Sequence, residues 1–224
     1  MQISESHCGP AVVQMLLSSV GINVTQEDLA EAGGATRLIE LNGMRVDQLG
    51  LAVQRLTPQV VFYYKDHATL DELARIVNQY RHPVGVEWQG LFEEEDDTDE
   101  EENTNPRTVG LPADISEQSV AASEPPLLPD AESEDNDYGH FSLIVRADRR
   151  QQQFIIADPY KDYVSQARIF SFSEFESRWY DYNEVTDPVT GQLMLVEDYH
   201  MLFVVVRRGV VFPLRMGMHS IPPH

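Results

Sequence analysis

The 224-residue chain holds a single cysteine. That excludes an intramolecular disulfide framework and any zinc or iron–sulfur site built on several thiolates. No run of about 18 apolar residues occurs, so no membrane-spanning helix is expected. The N-terminus lacks the basic-then-apolar pattern of a secretory signal, and the expected location is the reducing cytoplasm. Basic residues are scarce: 16 Lys and Arg face 37 Asp and Glu, a net charge of −21. Such a charge argues strongly against a nucleic-acid backbone as partner, and none is expected. What is present is 42% hydrophobic residues, enough for a sizeable core in one domain, two at most.

The charge is concentrated. Residues 93–137 carry 17 acids against one base, Arg107, which makes −16; the rest of the chain is an ordinary −5. Nine of the ten residues from Glu93 to Glu102 are acidic, and a Pro-, Ser- and Thr-containing stretch follows. Such a segment buries too little apolar surface to offset its ordering entropy. It is expected to be an acidic disordered insertion, either a solvated loop or a contact for a protein partner. The spaced Asp/Asn/Gly loop of a calcium site is absent from it. The remaining blocks, 1–92 and 138–215, are expected to fold as one domain, helical first and sheet-forming second. Residues 216–224 read as a flexible tail. Met216, Met218, His219 and His224 offer at most a loose metal contact, and no metal site is expected.

Periodicity gives the elements. A helix opens at Cys8-Gly9-Pro10, runs through Val12, Met15, Leu16 and Ser19, and ends at Gly21. Thr25 caps Gln26–Ala32 with Asp28 three residues on, and Gly33-Gly34 stop it. Val46, Leu49, Val53 and Leu56 mark a further helix. Leu70, Leu73, Ile76, Val77 and Tyr80 mark another. Strands are expected at 60–64, 83–88, 141–145, 154–157, 167–170 and 201–206, with Ser173 capping a short helix over 174–179. Helices first and antiparallel strands second make an α+β domain.

Four residues can carry chemistry. Cys8 stands where a helix begins, and a helix N-terminus stabilises a thiolate. Taken alone, it reads first as a small apolar residue on a buried face. His140 opens one strand and Asp158 closes the next, 18 residues on. A polar turn joins these strands, which sets the two side chains next to each other. Singly, each reads as a surface or turn residue. Gln2, six residues before Cys8, has an amide placed to donate to an oxyanion beside the Cys8 N–H.

Gln2 followed by Cys8-Gly9-Pro10-Ala11, Met15 and Gly21, then Gly139-His140-Phe141-Ser142-Leu143-Ile144-Val145, then Ile155-Ile156-Ala157-Asp158-Pro159, resembles the papain-like cysteine peptidases. The similarity is to the bacteriocin-processing, double-glycine leader peptidases among them. It extends over nearly the whole chain apart from the insertion and the tail. Two departures are visible. His7 stands where the leader peptidases carry Asp, and no transporter or ATPase domain is expected within these 224 residues. Gly33-Gly34 reads as a helix stop and not as a cleavage site.

The resemblance implies a papain-like α+β fold. It makes Cys8 the nucleophile, His140 the general base and acid, Asp158 the orienting group and Gln2 the oxyanion donor. Acyl transfer would pass through a thioester to water, with a peptide or protein as substrate and no cofactor. Two other readings stay open: a transpeptidase resembling the phytochelatin synthases, and a non-catalytic peptidase-like domain that binds a protein partner through 93–137.

Overall fold

The computed structural model describes residues 1–37, 39–91, 138–163, 165–186 and 190–221. Met1–Leu91 and Asp137–His224 form one compact unit. The acidic insertion expected at 93–137 lies outside the described residues.

The first block supplies most of the helices. α1 (Cys8–Ser19) buries Pro10, Ala11, Val12, Val13, Leu16 and Leu17, and Gly21 ends it with a left-handed φ of 78°. α2 (Gln26–Ala32) starts at the expected capping box. Thr25 Oγ1 accepts the Asp28 N–H at 3.0 Å, and the Asp28 carboxylate accepts the Thr25 N–H at 3.4 Å. The four-residue α3 (Ile39–Asn42) was not legible in the sequence. α4 (Val46–Leu56) buries Val46, Leu49, Ala52 and Val53 on one face. α5 (Leu70–Gln79) has its own Thr69–Glu72 capping box.

These helices pack on a sheet of seven antiparallel strands in the order β5-β4-β3-β2-β8-β1-β9. The strands are β1 (Val60–Lys65), β2 (Val84–Leu91), β3 (Tyr138–Asp148), β4 (Gln153–Ala157), β5 (Ala167–Ser171), β8 (Leu202–Arg207) and β9 (His219–Ser220). β6 (Tyr180–Thr186) and β7 (Leu193–Tyr199) form a separate two-stranded ribbon. Two strands of the helical block, β1 and β2, thus lie inside the sheet, and β2 pairs directly with β3. One core joins α1, α2 and α4 to Phe62, Phe141, Leu143, Phe203 and Val205. An aromatic cluster of Trp88, Phe154, Phe170, Phe175 and Trp179 fills a second core, with ring centroids 5.1–5.4 Å apart.

Two expectations are corrected. α6 spans Phe172–Ser177, and its cap is Ser171, whose Oγ accepts the Glu174 N–H at 3.1 Å; Ser173 already lies inside the helix. The tail is not frayed as far as Ile221. α7 (Phe212–Arg215) leads into it, Met216 and Met218 are buried, and β9 pairs with Tyr63 and Tyr64 of β1. An open sheet edge is a ready template for two more residues of strand, a driving force that composition does not reveal.

Candidate active site

Three elements converge on the site. α1 presents Cys8 as its first residue, a half-buried free thiol. His7 precedes it and makes no side-chain cap, and no acid sits in the first turn. The positive end of the helix is therefore left for whatever faces Cys8. The His7 ring bonds instead to Ser4 Oγ, 2.7 Å from Nδ1.

β3 and the residue directly after β4 supply the other two. The two strands are joined by the polar turn at 149–152, and a register shift falls between Ile144 and Arg146. The pairing sets His140 Nε2 2.8 Å from Asp158 Oδ1, with both side chains fully buried. Asp158 is held from four directions. Oδ1 also accepts the Tyr160 N–H at 2.9 Å, and Oδ2 accepts Ser142 Oγ and Arg168 Nη1, each at 3.0 Å. The Trp88 indole can only donate, and it does so to Ser142 Oγ at 3.0 Å. The Ser142 hydroxyl must therefore direct its own proton to Asp158. Arg168 also donates to the Gly90 carbonyl at 2.7 Å, and its guanidinium lies 4.1 Å from the Tyr163 ring centroid and 4.9 Å from that of Phe170.

The electrostatics follow from these contacts. Burial pushes the Asp158 carboxyl up. The bond and charge of His140, the Tyr160 N–H and the Arg168 charge outweigh it, so the group stays below the usual carboxylate range and is ionised at neutral pH. An ionised Asp158 cannot donate, so His140 Nε2 carries the proton of that bond and Nδ1 is the basic nitrogen. Nδ1 is buried and has no well-aligned hydrogen bond among the described residues. Burial by itself would lower the imidazole pKa. Asp158, followed by the Cys8 thiol, raises it to about 9.

The N-terminus is tied to this site. The Gln2 N–H donates to the Pro159 carbonyl at 2.9 Å, next to Asp158. Gln26 holds the neighbouring backbone: its Oε1 accepts the Ile3 N–H and its Nε2 donates to the Met1 carbonyl, both at 3.0 Å. Gln2 is buried, with Nε2 donating to the Glu5 carbonyl at 3.1 Å and Oε1 accepting no hydrogen bond among the described residues.

Two contributors were not singled out from the sequence. Ser142 lies two residues from His140 on one strand, and strand alternation puts both side chains on the same face. Arg168 occupies an inward position of β5, where Arg168 and Phe170 are buried while Ala167 and Ile169 are exposed. Among the described residues no group of His, Cys, Asp and Glu is arranged to hold a metal ion, and no helix is long and apolar enough to cross a membrane.

No curated protein is significantly similar to the chain in sequence. Among solved structures, the peptidase domain of Streptococcus ComA, a bifunctional ABC transporter involved in quorum sensing, is similar at 14% identity and a TM-score of 0.49. The match covers 92% of this chain and 96% of that one. Residues 1–187 match the Peptidase_C39 like family, a span that includes Cys8, His140 and Asp158. The chain belongs to the Peptidase_C39-like family.

Proposed function

We propose that the protein is a cysteine peptidase that cleaves peptide or amide bonds with Cys8, His140 and Asp158. The observation that carries this reading is the imidazole of His140, bonded at 2.8 Å to an ionised Asp158 through Nε2 and influenced by the Cys8 thiol. Proton transfer from Cys8 Sγ to His140 Nδ1 gives a thiolate at the positive end of α1. The thiolate forms a bond to the carbonyl carbon, and the C=O π pair moves onto oxygen. The Cys8 N–H and the free amide hydrogen of Gln2 stabilise that oxyanion. Collapse breaks the C–N bond as the leaving nitrogen takes the proton from Nδ1, which leaves a thioester. Water, deprotonated by Nδ1, then attacks the thioester, and Cys8 departs as thiolate. An amine in place of water would give the transpeptidase outcome from the same intermediate.

Intact-mass spectrometry tests this reading. The protein is incubated with a mixture of peptide p-nitroanilides and quenched in acid. The expected result is released nitroaniline and an acyl adduct confined to the peptide carrying Cys8. Nitroaniline release that persists in Cys8→Ala would contradict it, and so would the absence of both signals in the wild type.

A further inference from the structure

Asp158 Oδ1 serves His140, and its second oxygen is bound by two side chains outside the candidate triad. Ser142 of β3 and Arg168 of β5 both donate to Oδ2 at 3.0 Å. Ser142 is fully buried and Arg168 is 4% exposed. One local feature of β2 serves both donors. The register of β2 against β3 slips between Gln89 and Leu91, which makes Gly90 the extra residue of a bulge with no partner on β3. Bulges re-aim the chain beside a site. Here the Gly90 carbonyl accepts the other bond of Arg168 Nη1, at 2.7 Å. Any side chain at Gly90 would run into the Trp88 indole. That close approach seats Trp88 with its N–H on Ser142 Oγ and its ring centroid 5.6 Å from the Arg168 guanidinium carbon. With Tyr163 and Phe170 on the same group, Arg168 is a planar cation held among rings, a seat that a lysine ammonium does not reproduce.

A buried ion pair adds little net stability by itself, since desolvation of the two charges offsets their attraction. The consequence of this one falls on Asp158. A carboxyl group turns readily about its last side-chain bond. With Oδ2 bound on two sides, Oδ1 alone is left for His140 and the Tyr160 N–H. A positive charge and a hydroxyl donor also favour the carboxylate over the acid, whose proton would have to displace a donor from Oδ2. The titratable groups around Asp158 are His140 of β3 and Arg168 of β5, with the Cys8 thiol acting on His140 from α1 and Glu87 of β2 acting on Cys8. After β4, the Tyr160 ring stands edge-on to His140 with centroids 6.4 Å apart, and Lys161 pairs with Glu5 at 3.7 Å.

We propose that Arg168 and Ser142 are positioning residues for the reaction: they bind Asp158 Oδ2 so that Oδ1 stays on His140, and they keep the Cys8–His140 pair working at a more acidic pH than Asp158 without them would allow. The proposal rests on Cys8 and His140 being the reacting pair. The second-order rate of Cys8 alkylation by iodoacetamide, followed across pH 4–10 in the folded protein, tests it. Arg168→Gln keeps an amide donor and removes the charge; Ser142→Ala removes the hydroxyl. The midpoint of the fall in rate toward acid pH is expected to move up by about one pH unit or more in Arg168→Gln. In Ser142→Ala it is expected to move the same way by less. A residue that only supported the fold would scale the rate at every pH and leave the midpoint in place. Ser142→Ala carries the test if Arg168→Gln does not fold. An unmoved midpoint in a folded variant overturns the role of the residue replaced. Unmoved midpoints in both, with rapid wild-type alkylation at low pH that is lost in His140→Ala, overturn the proposal and leave the peptidase reading standing. An ordinary thiol titration in the wild type overturns both.

Discussion

Replacing Cys8 by alanine is expected to lower peptide hydrolysis by at least about 10⁴-fold, because no other side chain at the site can form the acyl intermediate. The fold is expected to survive. Cys8 is half-buried at the margin of the core, and the packing of α1 is carried by residues from Pro10 to Leu17. Hydrolysis of a peptide anilide and the thermal midpoint, measured on one preparation, separate the two roles. Lost activity with an unchanged midpoint supports the nucleophile. Lost activity with an unfolded protein would show Cys8 to be structural.

Asp158→Asn carries the second large effect. The amide keeps the shape of the carboxyl and loses its charge, so His140 is no longer held with its proton on Nε2. Activity is expected to fall by about 10²–10⁴-fold, less than for Cys8→Ala. Arg168 is left buried without its carboxylate partner, which costs about 3–5 kcal/mol of stability. Adding Arg168→Met is expected to recover part of the stability and none of the activity. The pH dependence has a definite sign. The imidazole pKa is raised from 6.5 to about 9, so its contribution to stability is complete below 6.5 and is lost as pH rises through 9. The Asp158 carboxyl is depressed, so its contribution is present above the ordinary carboxylate range and is lost as pH falls through its lowered value. The stability difference between wild type and Asp158→Asn, from urea unfolding, is therefore expected to be largest near neutrality and to shrink toward both pH extremes. A difference independent of pH would show that Asp158 holds no imidazolium.

Local chemistry made the N-terminal half legible. Thr25 with Asp28, Gly21 after an apolar periodicity, and the Leu70–Gln79 face each specify an element within a few residues, and each lies where expected. The meeting of His140 and Asp158 was also readable, because a polar turn joins the two strands beside them into an antiparallel pair. Long-range partners left no such signal. β7 exposes Leu193, Met194, Leu195 and Val196 in succession, so neither alternation nor burial marked it as a strand. β9 is two residues long and exists because the edge of β1 receives it. Arg168 and Glu87 were counted among ordinary charges of the chain; only the fold shows one clamped to Asp158 and the other buried on β2.

The central claim is that His140 activates Cys8. Because Cys8 is the only cysteine, alkylation by iodoacetamide across pH 4–10 reports on it alone. Wild type is compared with His140→Ala. The account predicts rapid alkylation well below the ordinary thiol pKa of about 8.5, and its loss when the imidazole is removed. Slow alkylation that follows an ordinary thiol titration, unchanged in His140→Ala, would contradict it.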